Sequence, residues 1–248
     1  MLVARDRQRL DSAARAVHNK YRVQVDPVSA DLSDRDDIAR VEKLFATRRI
    51  DLLVNDAGFA AHDDLLDEDW SAQARALDLM CLAVLVLSGA AARQMVARGS
   101  GEIINISSMN SLIPADNYAA VKAWVNSYTE GLAARLAGTG VHANVTITAW
   151  VKTQFHAAAG LDRPNIPDWV WVPVRSLVKL ALRDVRRGKI RSVPTLRWRL
   201  AAWALQHGPL VLPRRVSTWV RSEHDNNRIA DEVPDSSPDD PDTRTEGA

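Results

Sequence analysis

The sequence predicts an α/β fold built on a parallel sheet. Short apolar runs of strand length alternate with segments of helical periodicity from Leu2 to Thr148, which is the pattern of strands joined by helical crossovers. The runs Ile50 to Asn55 and Glu102 to Ile106 are nearly continuous in Ile, Leu and Val, as in strands covered on both faces. Asn55, Ser108 and Thr148 fall at the carboxyl ends of such runs, where open α/β sheets gather their ligands.

The elements follow in order. Leu2-Val3-Ala4 is the tail of a strand, and Asp6 to Lys20 reads as a helix. Arg22 to Ser29 is a strand candidate interrupted late by Pro27, and a helix runs from about Ser33, a good N-cap, to Arg48,. The strand from Ile50 to Asn55 ends at the turn signal Ala57-Gly58,. A long helix from about Asp67 to Arg98 stops at Gly99-Ser100-Gly101, and the strand Glu102 to Ile106 leads to Ser108,. Asn117 to Ala137 is a helix ended by Gly138-Thr139-Gly140, and Val141 to Thr148 is the next strand.

Composition narrows the classes. A chain of 248 residues with 46% hydrophobic content fits one domain with a full core, taken as residues 1–222,. A net charge of +1 argues against a dedicated nucleic-acid binder,. The single cysteine, Cys81, excludes an internal disulfide framework, and His62, His142, His156 and His207 lack metal-ligand spacing, so no metal is expected,. A reducing cytoplasm fits this cysteine usage. The start Met1 to Arg5 has no secretory pattern, and the most apolar run, Leu79 to Ala92, is shorter than the ~18 residues that span a bilayer,. A soluble protein is expected.

The most informative segment runs from Ser107 to Lys122. It sets a hydroxyl, Ser108, after a strand and a Tyr-x-x-x-Lys pair, Tyr118 and Lys122, on the next helix. Four residues apart, the two side chains share a helix face, so the ammonium can stabilise a phenolate and draw a tyrosine pKa of about 10 towards neutrality. That would make Tyr118 a usable proton donor and acceptor. With 3 Tyr and 6 Lys in 248 residues, chance supplies such a pair roughly 7% of the time,. The pair therefore needs its context.

That context resembles the short-chain dehydrogenase/reductase family. The matching pieces run in family order: Ala30-Asp31-Leu32, then Asp51 to Gly58 with Asn55-Asp56-Ala57-Gly58 at its end, then Ile103 to Ser108, then Tyr118 to Lys122. The interval from Ser108 to Tyr118 is 118 − 108 = 10 residues, shorter than in most of the family, which is similar to a subgroup with a shortened loop. The resemblance implies a Rossmann-like, doubly wound parallel sheet and hydride transfer between a nicotinamide cofactor and a carbonyl or alcohol. The substrate is expected to be small and apolar. Tyr118 would be the proton donor, Lys122 would lower its pKa and hold the nicotinamide ribose, and Ser108 would hydrogen-bond the carbonyl oxygen. On the cofactor side the resemblance implies Arg5, Asp31, Leu32, Asn55, Ala57, Gly58, Tyr118, Lys122, Thr148 and Thr153. Asp31 would meet the adenine ring, although a helix-capping role is the plain alternative. Arg5 stands where NAD enzymes carry an acid, so a cation there suits the 2′-phosphate of NADP, and NADP(H) is expected over NAD(H).

The family opens with a strand, a Gly-rich turn and a helix that cradle the cofactor pyrophosphate. None of these is found, and no glycine precedes Gly58. The missing strand is the central one, so its neighbours should be left unpaired. A truncated reading frame, a degenerate paralogue acting as a non-catalytic remnant or partner-binding pseudoenzyme, and an unusual working fold are the three readings. Met80 stands where the family usually has an asparagine behind the lysine, Thr148-Ala149 where it has Pro-Gly, and Asp56 where it has a second asparagine.

Beyond Phe155 the composition changes. Arg183 to Arg221 holds ten Lys/Arg against one acid, and five of the eight tryptophans lie between Trp169 and Trp219. This stretch reads as a substrate-side flap with a surface helix. The alternatives are a peripheral membrane contact or a homo-oligomer contact, with Arg197, Trp198, Arg199 and Trp203 mixing cationic and interfacial residues and Pro209 and Pro213 cutting the stretch short,. Residues 223–248 carry nine acids against two arginines and three prolines, an expected disordered acidic tail,.

Overall fold

The computed structural model describes residues 1–59, 65–151, 167–209 and 213. Strands and helices alternate: β1 (Leu2–Ala4), α1 (Arg7–Tyr21), β2 (Pro27–Ser29), α2 (Arg35–Leu44), β3 (Leu52–Asn55), α3 (Ser71–Leu77), a π-helical turn (Asp78–Leu82), α4 (Ala83–Arg98), β4 (Gly101–Ser108), a 3-10 turn (Met109–Leu112), α5 (Asn117–Arg135), β5 (Val141–Thr148), a 3-10 turn (Asp168–Val170), α6 (Val174–Arg186), β6 (Arg191–Ser192) and α7 (Leu196–His207). All strand pairs are parallel.

The strands form two sheets, β1-β2 and β3-β4-β5-β6. One core serves both: Val3, Val28 and Leu53 pack against a buried cluster that includes Val41, Phe45, Leu87, Ala91, Met95 and Ile103. Among the described residues no strand joins the two sheets. The free edges of β1 and β3 are therefore unpaired, as expected if the central strand of a doubly wound sheet is absent. The residues of these strands that alternate away from the shared core are open to solvent: Leu2 is 36% exposed, Leu52 38% and Val54 48%.

Several boundaries differ from the sequence expectation for local reasons. The strand expected over residues 22–29 shrinks to β2 because Arg22 takes a left-handed conformation (φ 55°) to close α1, its N–H donating to His18 O. Asp34, not Ser33, caps α2, accepting from the N–H groups of Asp36 and Asp37; Ser33 is engaged with Asp31 instead. The long helix starts at Ser71 because Asp67 and Asp69 accept backbone N–H groups in successive turns before it. β4 extends through Ser108, held by eight residues in register with β5, Gly101 opposite Val141 and Ser108 opposite Thr148.

The run Ser71–Arg98 is one continuous helix of 28 residues, long and apolar enough by composition to cross a membrane. Its inner face is core, however: Ala76, Met80, Ala83, Leu87, Ala91 and Met95 are buried. The glycines after it serve close packing. A Cβ on Gly140 (φ +77°) would lie 2.2 Å from the Gly99 carbonyl oxygen, so the loops that end α4 and α5 touch backbone to backbone there.

Candidate functional site

Three parallel strands end together. β3 ends at Asn55, β4 at Ser108 and β5 at Thr148, with Asn55 paired beside Asn105 and Ser108 beside Thr148. A chain of buried side-chain hydrogen bonds fixes these ends. Asn55 Nδ2 donates to Ser88 Oγ at 3.0 Å and to Asn105 Oδ1 at 2.8 Å, and Asn105 Nδ2 donates to Thr129 Oγ1 at 2.9 Å. β3, β4, α4 and α5 are thereby tied through one polar network in an apolar core, which requires every member to be satisfied. Thr148 Oγ1 donates to Ser107 O at 2.8 Å.

α5 carries the tyrosine and lysine to this edge. Asp116 caps it, accepting from Ala119 N at 2.7 Å, and places Tyr118 and Lys122 on the face towards β4. The Ser108 side chain lies close enough to the Tyr118 hydroxyl to favour its ionised form. Lys122 is buried, 6% exposed, and its Nζ donates to Ile106 O at 3.1 Å while lying 5.6 Å from the centre of the Tyr118 ring. Ser107 Oγ donates to the Lys122 carbonyl at 3.1 Å, pinning the helix to the strand at this level. Gly58 makes room: a Cβ there would sit 3.2 Å from Met80 Sδ and 3.6 Å from Lys122 Nζ.

The electrostatics correct one expectation. Burial pushes the Tyr118 hydroxyl up to about 12, with the Ser108 side chain opposing and Asp116 and Asp56 adding to the rise. No draw towards neutrality by Lys122 is found, because the protein packed around the hydroxyl of the half-buried Tyr118 outweighs the other influences on it,. Burial lowers Lys122 itself to about 8, with Asp56 and Cys81 opposing. Asp56 reaches solvent, yet enough protein surrounds its carboxyl to hold it above the usual carboxylate value, with Lys122 opposing. At neutral pH the site holds a protonated tyrosine beside a lysine that titrates near by.

The remaining sequence candidates fall in two places. Arg5 follows β1 and Asp31 follows β2, and the two approach to 3.8 Å with Arg5 67% exposed. Asp31 Oδ1 accepts from Ser33 N at 2.9 Å and Ser33 Oγ at 2.7 Å, so it caps a turn as well as facing Arg5. Leu32 packs on the shared core. Ala57 and Gly58 lie just past β3, near Met80 and Lys122 for Gly58. Thr153 lies outside the described residues, as do residues 223–248. Between the Arg5 and Lys122 ends runs the open interval between the sheets, and no glycine-rich turn at a helix start is found among the described residues.

Sequence reasoning missed three features. Ser88, Asn105 and Thr129 complete the network, and only the polar Asn105 within Ile-Ile-Asn-Ile signalled it. The π-helical turn places Met80 fully buried against Val121, with Tyr118 packed on the same cluster; such turns recur at functional sites. Asn126, one turn beyond Lys122, donates to Ser111 Oγ at 2.8 Å, and Ser111 Oγ donates to Ser108 O at 2.5 Å, bracing the short loop. Among the described residues no group of three His, Cys, Asp or Glu is arranged to hold a metal ion.

Comparison with known proteins places this geometry. A family profile described as short chain dehydrogenase matches residues 1–164. Galactitol 2-dehydrogenase (L-tagatose-forming) of Cereibacter sphaeroides is 31% identical over 160 residues, 62% of this chain and 62% of that protein. A 3-oxoacyl-[acyl-carrier-protein] reductase of Synechocystis sp. is 34% identical over 134 residues, 51% of this chain and 53% of that protein. The chain thus spans between about half and 62% of the length of these curated relatives. Among solved structures, a short-chain dehydrogenase from Sphingobium yanoikuyae in complex with NADPH superposes with a TM-score of 0.71 at 26% identity, covering 96% of this chain and 88% of that one. A 7beta-hydroxysteroid dehydrogenase shares the fold with a TM-score of 0.78 at 19% identity, covering 87% of this chain and 85% of that one.

Proposed function

Because the chain belongs to the short chain dehydrogenase family, we propose that its Ser108, Tyr118 and Lys122 serve an oxidoreductase that interconverts an apolar carbonyl compound and its alcohol with NADP(H). The observation that carries this reading is the placement of Ser108, Tyr118 and buried Lys122 together at the carboxyl ends of parallel strands, with the Lys122 Nζ 5.6 Å from the centre of the Tyr118 ring. A bound nicotinamide supplies or accepts the hydride at the substrate carbon. Tyr118 gives its phenolic proton to the carbonyl oxygen in the reducing direction, for which a phenol held at about 12 is in the right protonation state at neutral pH,. Ser108 orients that oxygen, and Lys122 supplies positive charge beside the phenolate that forms.

The residues fit the two ends of the cofactor and not its middle. Lys122, with the space left by Gly58, suits the nicotinamide ribose, and the exposed Arg5 suits a ribose 2′-phosphate. Solved structures of similar chains carry NADPH or NADP, which supports the choice of NADP(H). The pyrophosphate has no donor set among the described residues. We assign that role to a strand, glycine turn and helix filling the interval between β1 and β3, whose free edges and exposed Leu2, Leu52 and Val54 suit such an insert. The non-catalytic alternative is not favoured, since Ser108, Tyr118 and Lys122 keep a coherent geometry. The test is NADPH oxidation with a panel of apolar ketones, using the chain extended at its amino end by such a segment. Turnover that Tyr118→Phe abolishes supports the assignment, and turnover that survives it overturns it.

A further inference from the structure

α7 is apolar on both of its faces. Its inner side packs on the protein: Ala202 is buried, and Trp198 Nε1 donates to Val170 O at 3.3 Å. On its outer side Leu196, Leu200 and Trp203 are 67%, 60% and 62% exposed. Their spacing of four and then three residues sets them in one strip along the helix. A surface helix ordinarily turns polar residues outward; here Trp203 stacks on His207 of the same helix, and the strip stays exposed apolar surface among the described residues.

Cations flank the strip. Arg197 and Arg199 are exposed, and α7 contains no acid. The Arg197 guanidinium lies 5.9 Å from the Trp169 ring, itself 65% exposed, and donates to Trp171 O at 3.2 Å. Across Arg183 to Arg221 the ten Lys/Arg face one acid, Asp184. That acid is buried and already engaged by Arg183, Lys189 and Ser192. Arg197 and Arg199, on a helix without an acid, give this face its positive charge.

Exposed leucines and tryptophans bordered by arginines are what an anionic bilayer surface recognises: the apolar strip enters the acyl boundary while the guanidinium groups meet lipid phosphates. We propose that α7 is an in-plane docking helix that seats this protein on an anionic membrane surface. The position gives the contact a purpose. α7 packs against the 3-10 turn Met109–Leu112 that follows Ser108, so a bilayer touching the strip lies beside the mouth of the site. An apolar substrate would then pass from lipid to Ser108 without crossing water. The docking itself does not depend on the site being active.

The test is flotation of the full chain with vesicles of phosphatidylcholine alone and of phosphatidylcholine containing phosphatidylglycerol. Anionic vesicles should carry the protein upward and neutral ones much less, with the difference fading at high salt. Leu196→Ser/Leu200→Ser/Trp203→Ser should cut the floated fraction at least ~10-fold, and Arg197→Gln/Arg199→Gln should remove the preference for anionic lipid. Circular dichroism should be unchanged in both, since all five side chains are exposed. Three results would overturn the proposal: wild-type protein that stays below the vesicles, a leucine/tryptophan variant that floats as well as wild type, or a strip substitution that dissociates an oligomer in light scattering with no vesicle binding, which would assign the strip to a second copy.

Discussion

β3 and β4 lie side by side in register, Leu52 opposite Glu102 and Asn55 opposite Asn105, yet they inhabit different surroundings. In β4, Ile103 and Ile104 are 0% and 2% exposed, one facing the α4 side and the other covered by Ala181 and Val185 of α6. In β3, Leu53 shares the first of those cores, while Leu52 and Val54 look out at solvent. Both runs have the composition of strands buried on two faces. The half of the sheet that carries Ser108, Tyr118 and Lys122 is thus closed and braced, and the half next to the expected cofactor path is open along an edge and a face.

The comparison can be broken most forcefully in the closed half. Ile104→Ala removes a side chain buried against Ala181 and Val185 of α6 and should cost about 2–5 kcal/mol,, seen as a large drop in the urea midpoint. Tyr118→Phe should lower turnover of the extended protein at least ~10²-fold while leaving NADPH affinity nearly unchanged; an equal loss of affinity would place the tyrosine in binding instead.

The lysine gives a pH signature of intermediate size. Its folded-state value is lowered to about 8 from 10.5, so between those values the unfolded chain binds more protons and the stability contribution rises with pH. Urea midpoints taken from pH 7.5 to 10 should show that rise, and Lys122→Met should flatten it. Carbonyl reduction should fall as the pH climbs through about 8 and the ammonium is lost.

The smallest effect belongs to the open half. Val54→Ala should shift the stability of residues 1–248 by less than about 0.5 kcal/mol, as for an exposed side chain. In the extended protein the same substitution should approach the cost of Ile104→Ala. A large cost in the short chain would mean that Val54 is already covered.

Much of this was legible in the sequence because parallel strands and their ligand ends leave strong local marks. The runs ending at Asn55, Ser108 and Thr148 mark strand ends that the structure brings side by side, and the spacing of Tyr118 and Lys122 marks two residues on one face of α5. What escaped depends on distant partners. Ser33 looks like a helix cap until Asp31 claims it, and Arg22 looks like strand until α1 needs a left-handed residue to end on. The rise in the tyrosine pKa is not legible in the sequence, because periodicity shows which residues share a face and not what surrounds their polar atoms.

The central claim is that the site chemistry is present and that the interval between β1 and β3 is where the cofactor-bearing segment belongs. Its most direct test is a titration of NADPH, followed by tryptophan fluorescence, against residues 1–248 and against the same chain preceded by a strand, glycine turn and helix of the family. Weak or absent binding in the first and saturable binding with a cooperative melt in the second is the predicted result. Tight NADPH binding by residues 1–248 alone would contradict it, since the phosphates would then be held by some other part of the chain.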